Sequence, residues 1–264
     1  MISIDYTVKE ISMSLRTAKQ IQPFSKRGIK MSIEEAYHVA AQARALCDGG
    51  ALVGRKIGFT NRGIWNKYGV DRPIWGDMRS SSVHFCGDGY AELDLSRFCE
   101  PRIEPEVVIC LKETPPDSAG DTDIARSIDW VAPGLEIVDS IYPNWSFSVS
   151  DAIAAGSLHG CLLIGGKSKP TAQTVTELLS LKVRLLKEGV LVEEGHGASV
   201  LDGPISAIRF LMEGIAGIPG QRPLAAGDII TTGTMTDAKP ISPGQNWQAE
   251  FSGILEQDLF LKLD

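Results

Sequence analysis

Short apolar runs separated by charged turns set the pattern of this chain. Val107 to Leu111 is a continuous apolar run, as expected for a strand buried on both faces. Trp130 to Val138 is a second such run with one acid, Glu136, inside it. Val53 to Phe59 predicts a strand carrying Lys56 between apolar neighbours, and Cys161 to Ile164 predicts another. Val183–Leu186 and Val190–Val192 flank Glu188-Gly189, a hairpin signal. Leu224 to Gly233 and the segment to Asp264 complete the predicted sheet.

Helical signals are fewer. Ser32-Ile-Glu-Glu35 is a capping box opening a helix through Ala36, Val39, Ala40, Ala43 and Leu46, closed by Gly49-Gly50. Residues 1–30 predict a helix broken between Pro23 and Gly28, Ile124–Asp129 a short helix, and Pro204–Glu213 an amphipathic helix opened by Asp202 and the proline. Asn61–Ser82, rich in Gly, Arg and Trp, reads as an ordered loop. Many strands with few, separated helices predict an α+β chain: a small helical N-terminal part over residues 1–50 and a large mixed β domain over 51–264.

The candidate chemistry lies at the start of the first apolar run, in Pro101-Arg-Ile-Glu-Pro-Glu106. Side chains two apart in a strand leave one face, so Glu104 and Glu106 sit roughly 6–7 Å apart at their bases. Carboxylates that close at a buried strand raise their pKa values, find cations, or share a metal ion. Glu136, flanked by Leu135, Ile137 and Val138, also needs a partner. Three carboxylates with no thiolate or imidazole describe a hard oxygen site for Mg²⁺ or Mn²⁺. The plainer reading makes Glu104 and Glu106 the wet face of a half-exposed strand and pairs Glu136 with an arginine.

Composition narrows the partners. Apolar residues make up 43% and charged residues 22%, as in ordinary globular proteins, and the net charge of −7 opposes a phosphate backbone as partner. No apolar run is long enough to span a membrane, and no secretory signal is visible. Five cysteines without a C-x-x-C predict reduced thiols in a cytoplasmic protein. The four histidines form no zinc pattern; His159 and His196 lie in glycine-rich stretches, where solvent-facing histidines outnumber catalytic ones. No G-x-S-x-G elbow occurs, and Gly166-Lys-Ser168 lacks the first glycine of a P-loop.

Gly54-Arg-Lys-Ile-Gly-Phe-Thr60, Pro101-Arg-Ile-Glu-Pro-Glu106 and Leu135-Glu136 together resemble the fumarylacetoacetate hydrolase superfamily. Within it, the chain is most similar to the 2-oxopent-4-enoate hydratases and 4-oxalocrotonate decarboxylases of aromatic breakdown, from about Ser32 onward. The resemblance implies a rolled mixed β-sandwich, a divalent metal on Glu104, Glu106 and Glu136, and Lys56 facing a small 2-oxo acid substrate. It also implies a homo-oligomer. Ile74, Asp151, Thr232 and Gly233 complete the expected substrate contacts.

Three departures bear on the reaction. Hydratases of the family carry an acid, the proposed proton shuttle, where this chain has Ile74 in Pro73-Ile-Trp-Gly76; decarboxylases have isoleucine there. An Asp-Asn pair is replaced by Ala155-Gly156, and a [GN]-H-P motif by Asp202-Gly-Pro204. Metal chelation of a 2-oxo acid then predicts C–C cleavage, with a divalent ion as Lewis acid. Decarboxylation needs only that electron sink. Hydrolysis of an acylpyruvate such as maleylpyruvate, the outcome the sequence favours, also needs a base, for which His159 or His196 could serve; with Lys56, which would neutralise charge on the substrate, they are the catalytic candidates. Hydration and a non-catalytic, metal-binding homologue are the alternatives.

Overall fold

The computed structural model describes residues 4–47, 49–255 and 257–264. In chain order its elements are helices α1 (Ile4–Thr17) and α2 (Ile33–Cys47), strand β1 (Leu52–Gly58), the short helix α3 (Trp65–Tyr68), and strands β2 (Ile74–Arg79), β3 (Val83–Phe85), β4 (Tyr90–Leu93) and β5 (Pro101–Leu111). Helix α4 (Asp121–Arg126) leads into β6 (Ile128–Asp139), and α5 (Val149–Ala154) into β7 (His159–Ile164). Then come α6 (Thr174–Ser180), β8 (Lys182–Lys187), β9 (Val190–His196) and α7 (Pro204–Ala216). Strands β10 (Ile229–Thr234), β11 (Lys239–Pro240), β12 (Asn246–Phe251) and β13 (Leu259–Leu263) close the chain.

The strands form two sheets. The larger runs β2-β1-β10-β5-β6-β7-β3, with β11 beside the start of β5; the smaller runs β4-β13-β12-β8-β9. Mixed pairing and few helices match the α+β roll expected from the sequence. At the centre, β5 and β6 pair antiparallel from Pro101↔Asp139 to Leu111↔Ile128. Alternation along this pair sorts the side chains. Ile103, Val107, Ile109, Val131, Leu135 and Ile137 enter the main core. Val108, Cys110, Trp130 and Ala132 leave the other face and pack with Met78, Leu162, Ile164 and Ile229 in a smaller cluster.

The N-terminal helices share the main core through Val8, Ile11, Val39 and Ala43. Helix α2 begins at the predicted box: the Glu35 amide donates to Ser32 Oγ at 3.1 Å, and the Ser32 amide to Glu35 Oε2 at 2.8 Å. The β8–β9 hairpin turns through Glu188 and Gly189, both at positive φ (50° and 74°), the primed turn that follows strand twist. Two local expectations change. Asn61–Ser82 contains the strand β2, whose interior Gly76 and Asp77 disguise its alternation. Helix α7 is capped by Gly203, while Asp202 pairs with Arg62 at 2.7 Å outside it.

Glycine is required where β1 meets β10. A Cβ on Gly54 would overlap the carbonyl oxygen of Ile229, its partner in the parallel ladder. Gly54→Ala is expected to cost about 3 kcal/mol and lower the thermal midpoint. Gly87→Ala, with open space around it, is expected to stay within about 0.5 kcal/mol. Thermal and urea denaturation of both variants check this contrast.

Candidate active site

Glu104, Glu106 and Glu136 converge on the face of β5 and β6 that carries the smaller cluster. Glu104 and Glu106 are two apart on β5, and Glu104 stands directly opposite Glu136 on β6. One oxygen from each carboxylate lies within 4.8 Å of the others. Glu106 and Glu136 are buried and Glu104 half-buried. The plainer reading of a wet strand face is therefore not what the fold builds.

Each acid is held by different neighbours. The Gly233 amide donates to Glu106 Oε2 at 2.8 Å, and the Thr231 hydroxyl donates to the same oxygen. Glu106 Oε1 is buried with no hydrogen-bond partner among the described residues. Burial, with Glu136 and Glu104 nearby, pushes the Glu106 carboxyl well above the usual range. Burial raises Glu104 to about 7 against the pull of Lys56. Glu136 also pays desolvation, but Lys56 and His159 outweigh it and hold this carboxyl below its ordinary value.

Lys56, on β1, is buried with its Nζ 3.2 Å from Glu136 Oε2 and donating to the Ser157 carbonyl at 3.2 Å. Burial alone would depress its pKa; the three glutamates reverse that and keep it an ammonium. Lys56 and Glu104 open into a cavity of about 230 Å³. Its walls include Phe59, Tyr68, Ile74 and Phe147, with Arg102 and Lys67 as further cations and Asp237 as a further acid. Arg102 is stacked on Trp145, 4.1 Å from the ring centroid.

The other predicted contacts divide. Ile74 lines the cavity, and Gly233 reaches the acids through its amide. A Cβ on Gly233, at φ 105°, would overlap Thr60. Thr232 faces the wrong way: its hydroxyl donates to the Val107 carbonyl at 3.0 Å, and the neighbouring Thr231, missed in the sequence, bonds the acid. The Thr-Thr pair in β10 was the available signal, and strand parity decides between its members. Asp151 does not line the cavity. It caps α5, accepting from Ser148 Oγ at 2.7 Å and from the Ser25 hydroxyl at 2.5 Å.

Neither histidine lines this cavity. His196 ends β9 in the smaller sheet and is exposed. His159 is buried behind the acids, with Nδ1 2.8 Å from Glu136 Oε1 and Nε2 2.9 Å from Ser82 Oγ. Burial depresses its pKa despite Glu136, favouring a neutral ring. Both ring nitrogens are engaged, so the expectation of a free base at either histidine is corrected.

Known proteins extend this picture. No protein-family model matches the chain. A 4-oxalocrotonate decarboxylase of a Pseudomonas species is 31% identical over 206 residues, covering 78% of this chain and 77% of that protein. The 2-keto-4-pentenoate hydratase 1 of Dechloromonas aromatica is 26% identical over 257 residues, covering 96% and 95%. The 4-oxalocrotonate decarboxylase from Pseudomonas putida G7, complexed with magnesium and adipate, superposes with a TM-score of 0.89 at 26% identity, over 100% of this chain and 99% of that one. A rolled sheet with a carboxylate triad on its face defines a chain of the fumarylacetoacetate hydrolase superfamily. This chain belongs to that superfamily, in the branch of 2-oxopent-4-enoate hydratases and 4-oxalocrotonate decarboxylases, and is an enzyme of it. Among the described residues, no helix is long and apolar enough to cross a membrane.

Breaking the buried ion pair should be costly. Lys56→Met leaves Glu136 without its cation and is expected to lose about 3–5 kcal/mol in urea denaturation of the metal-free protein. Lys169→Met, which breaks a solvent-exposed pair with Asp129, is expected to change stability by less than about 1 kcal/mol.

Proposed function

We propose that this enzyme decarboxylates a 2-oxo dicarboxylic acid of the 4-oxalocrotonate type, from aromatic-ring breakdown, with Mg²⁺ or Mn²⁺ on Glu104, Glu106 and Glu136. The donor set fits such an ion. Three acids offer oxygens within 4.8 Å of one another, and Glu106 Oε1 is buried with no donor among the described residues. All-oxygen ligation suits a hard divalent cation. When bound, the ion would supply a Lewis acid that polarises a chelated 2-oxo group.

The chain's own residues account for the rest. Lys56 neutralises charge beside the 2-oxo end of the substrate, and Thr231 and the Gly233 amide fix the carboxylate of Glu106. Arg102 and Lys67, elsewhere in the same cavity, suit the second carboxylate of a dianion. Phe59, Tyr68 and Phe147 exclude water from the bond that breaks. That bond joins the chain to the second carboxylate; carbon dioxide leaves, the electron pair is conjugated into the 2-oxo group, and the resulting dienolate takes a proton from solvent.

The observation that carries decarboxylation over the alternatives is the composition of the cavity wall. Ile74 stands where an acid would serve hydration, and both candidate bases for hydrolysis lie off the cavity. The hydrolytic outcome favoured from the sequence gives way on that account. The adipate bound by the Pseudomonas putida decarboxylase is a six-carbon dicarboxylate, which supports a substrate of that length here.

Incubation of the purified protein with 4-oxalocrotonate and Mg²⁺ or Mn²⁺ is expected to release carbon dioxide and 2-oxopent-4-enoate, resolved by NMR. A hydrated product, or pyruvate with a second acid, would overturn the assignment. Glu106→Gln is expected to weaken Mn²⁺ binding and turnover together, by about 100-fold or more. A fully active, metal-loaded variant would remove Glu106 from the centre.

A further inference from the structure

Glu136 is gripped at both oxygens. Lys56 Nζ stands 3.2 Å from Oε2, and His159 Nδ1 stands 2.8 Å from Oε1. His159 is 1% exposed and lines a cavity of about 270 Å³ other than the one that Lys56 and Glu104 line. It is therefore placed to act on Glu136 and not on substrate.

We propose that His159 is a positioning residue for Glu136, donating from Nδ1 to Oε1, with its tautomer set from behind by Ser82. This rests on the reading of Glu136 as a metal ligand. A neutral imidazole carries one N–H, and an ionised carboxylate can only accept. The 2.8 Å contact to Oε1 therefore needs the proton on Nδ1, which leaves Nε2 an acceptor. Ser82 Oγ, 2.9 Å away, supplies the donor that Nε2 then requires. The same hydroxyl donates to the Arg79 carbonyl, 3.0 Å away, when it is not donating to the ring.

The consequence is mechanical. A carboxylate on a strand turns about its last torsion with little resistance, because that sp³–sp² rotor is broad. Committing Oε1 to the ring fixes this rotation and leaves Oε2 facing Lys56. Outer hydrogen bonds of this kind orient ligands and account for roughly 10–100-fold of metal affinity. Register places the device: Glu136 pairs with Leu162 on β7, and His159 begins that strand, beside the bulge between Ile137 and Val138.

Two variants with the same number of side-chain heavy atoms and the same branching separate the hydrogen bond from the space it fills. Asparagine places an N–H near the position of Nδ1, whereas leucine places a methyl group there. His159→Leu is expected to weaken Mn²⁺ binding, measured by calorimetry, by about 10–100-fold, with His159→Asn within about threefold of the parent chain. Should His159→Leu not fold, Ser82→Ala leaves the ring in place and is expected to weaken Mn²⁺ by about threefold or more. Equal Mn²⁺ affinity for His159→Leu and His159→Asn overturns the proposal, as does unchanged affinity in Ser82→Ala. If the parent chain binds Mn²⁺ and Glu106→Gln does not, those results remove only the positioning role. A parent chain that does not bind Mn²⁺ removes the metal reading and this proposal together.

Discussion

Three carboxylates on one buried face of an antiparallel strand pair form the constraint around which this molecule is arranged. Desolvation of like charges this close opposes ionisation and folding alike, so the fold must hold them together by other means. The β5–β6 ladder does so along eleven residues of β5 and twelve of β6, anchored by the core on the opposite face. Lys56 contributes one full positive charge from the neighbouring part of the sheet. The Gly233 amide and Thr231 hydroxyl contribute donors from β10. What remains uncompensated, above all Glu106 Oε1, is the electrostatic space a divalent cation would fill.

The environment divides labour among acids of one chemical type. Glu136, between Lys56 and His159, stays ionised. Glu106, with hydroxyl and amide donors on one oxygen, is pushed strongly toward the protonated form by burial and by its neighbours. Glu104, at the cavity, lies between them at about 7. The same division separates two cavities. One, beside Lys56, is lined by aromatic, aliphatic and cationic side chains together with Glu104 and Asp237; the other is lined by His159.

Much of this was readable from the sequence because it follows from period. A run of apolar residues preceded by two acids two apart can only put both carboxylates on one side of a strand, and an acid inside a second run must meet a partner. The capping box at Ser32 and the turn at Glu188-Gly189 are local chemistry and were equally plain. What could not be read depends on register between segments distant in sequence. Nothing local says that Glu104 stands opposite Glu136, or that Thr231 and not Thr232 turns toward Glu106. Asp151 looked like a site residue because it matches the family pattern, yet its carboxylate ties α5 to the Pro23–Gly28 turn. Strand β2 was hidden because Gly76 packs against the Gly156 backbone and Asp77 pairs with Arg55, replacing the usual apolar alternation.

The two histidines show why residue type and loop composition are weak guides to a catalytic base. A base must reach the substrate with a free nitrogen. His196 fails on position, and His159 fails because both nitrogens are already committed. Yet the commitment of His159 bears on the centre itself. A neutral donor 2.8 Å from Glu136 strengthens the ionised form of one acid without adding a full charge to the cluster. A second lysine there would offset more of the negative charge that attracts a divalent ion. The imidazole therefore orients the acid while preserving the field that makes the site a cation site. This difference between orienting a ligand and neutralising it explains how Lys56 and His159 can hold one carboxylate without performing the same task.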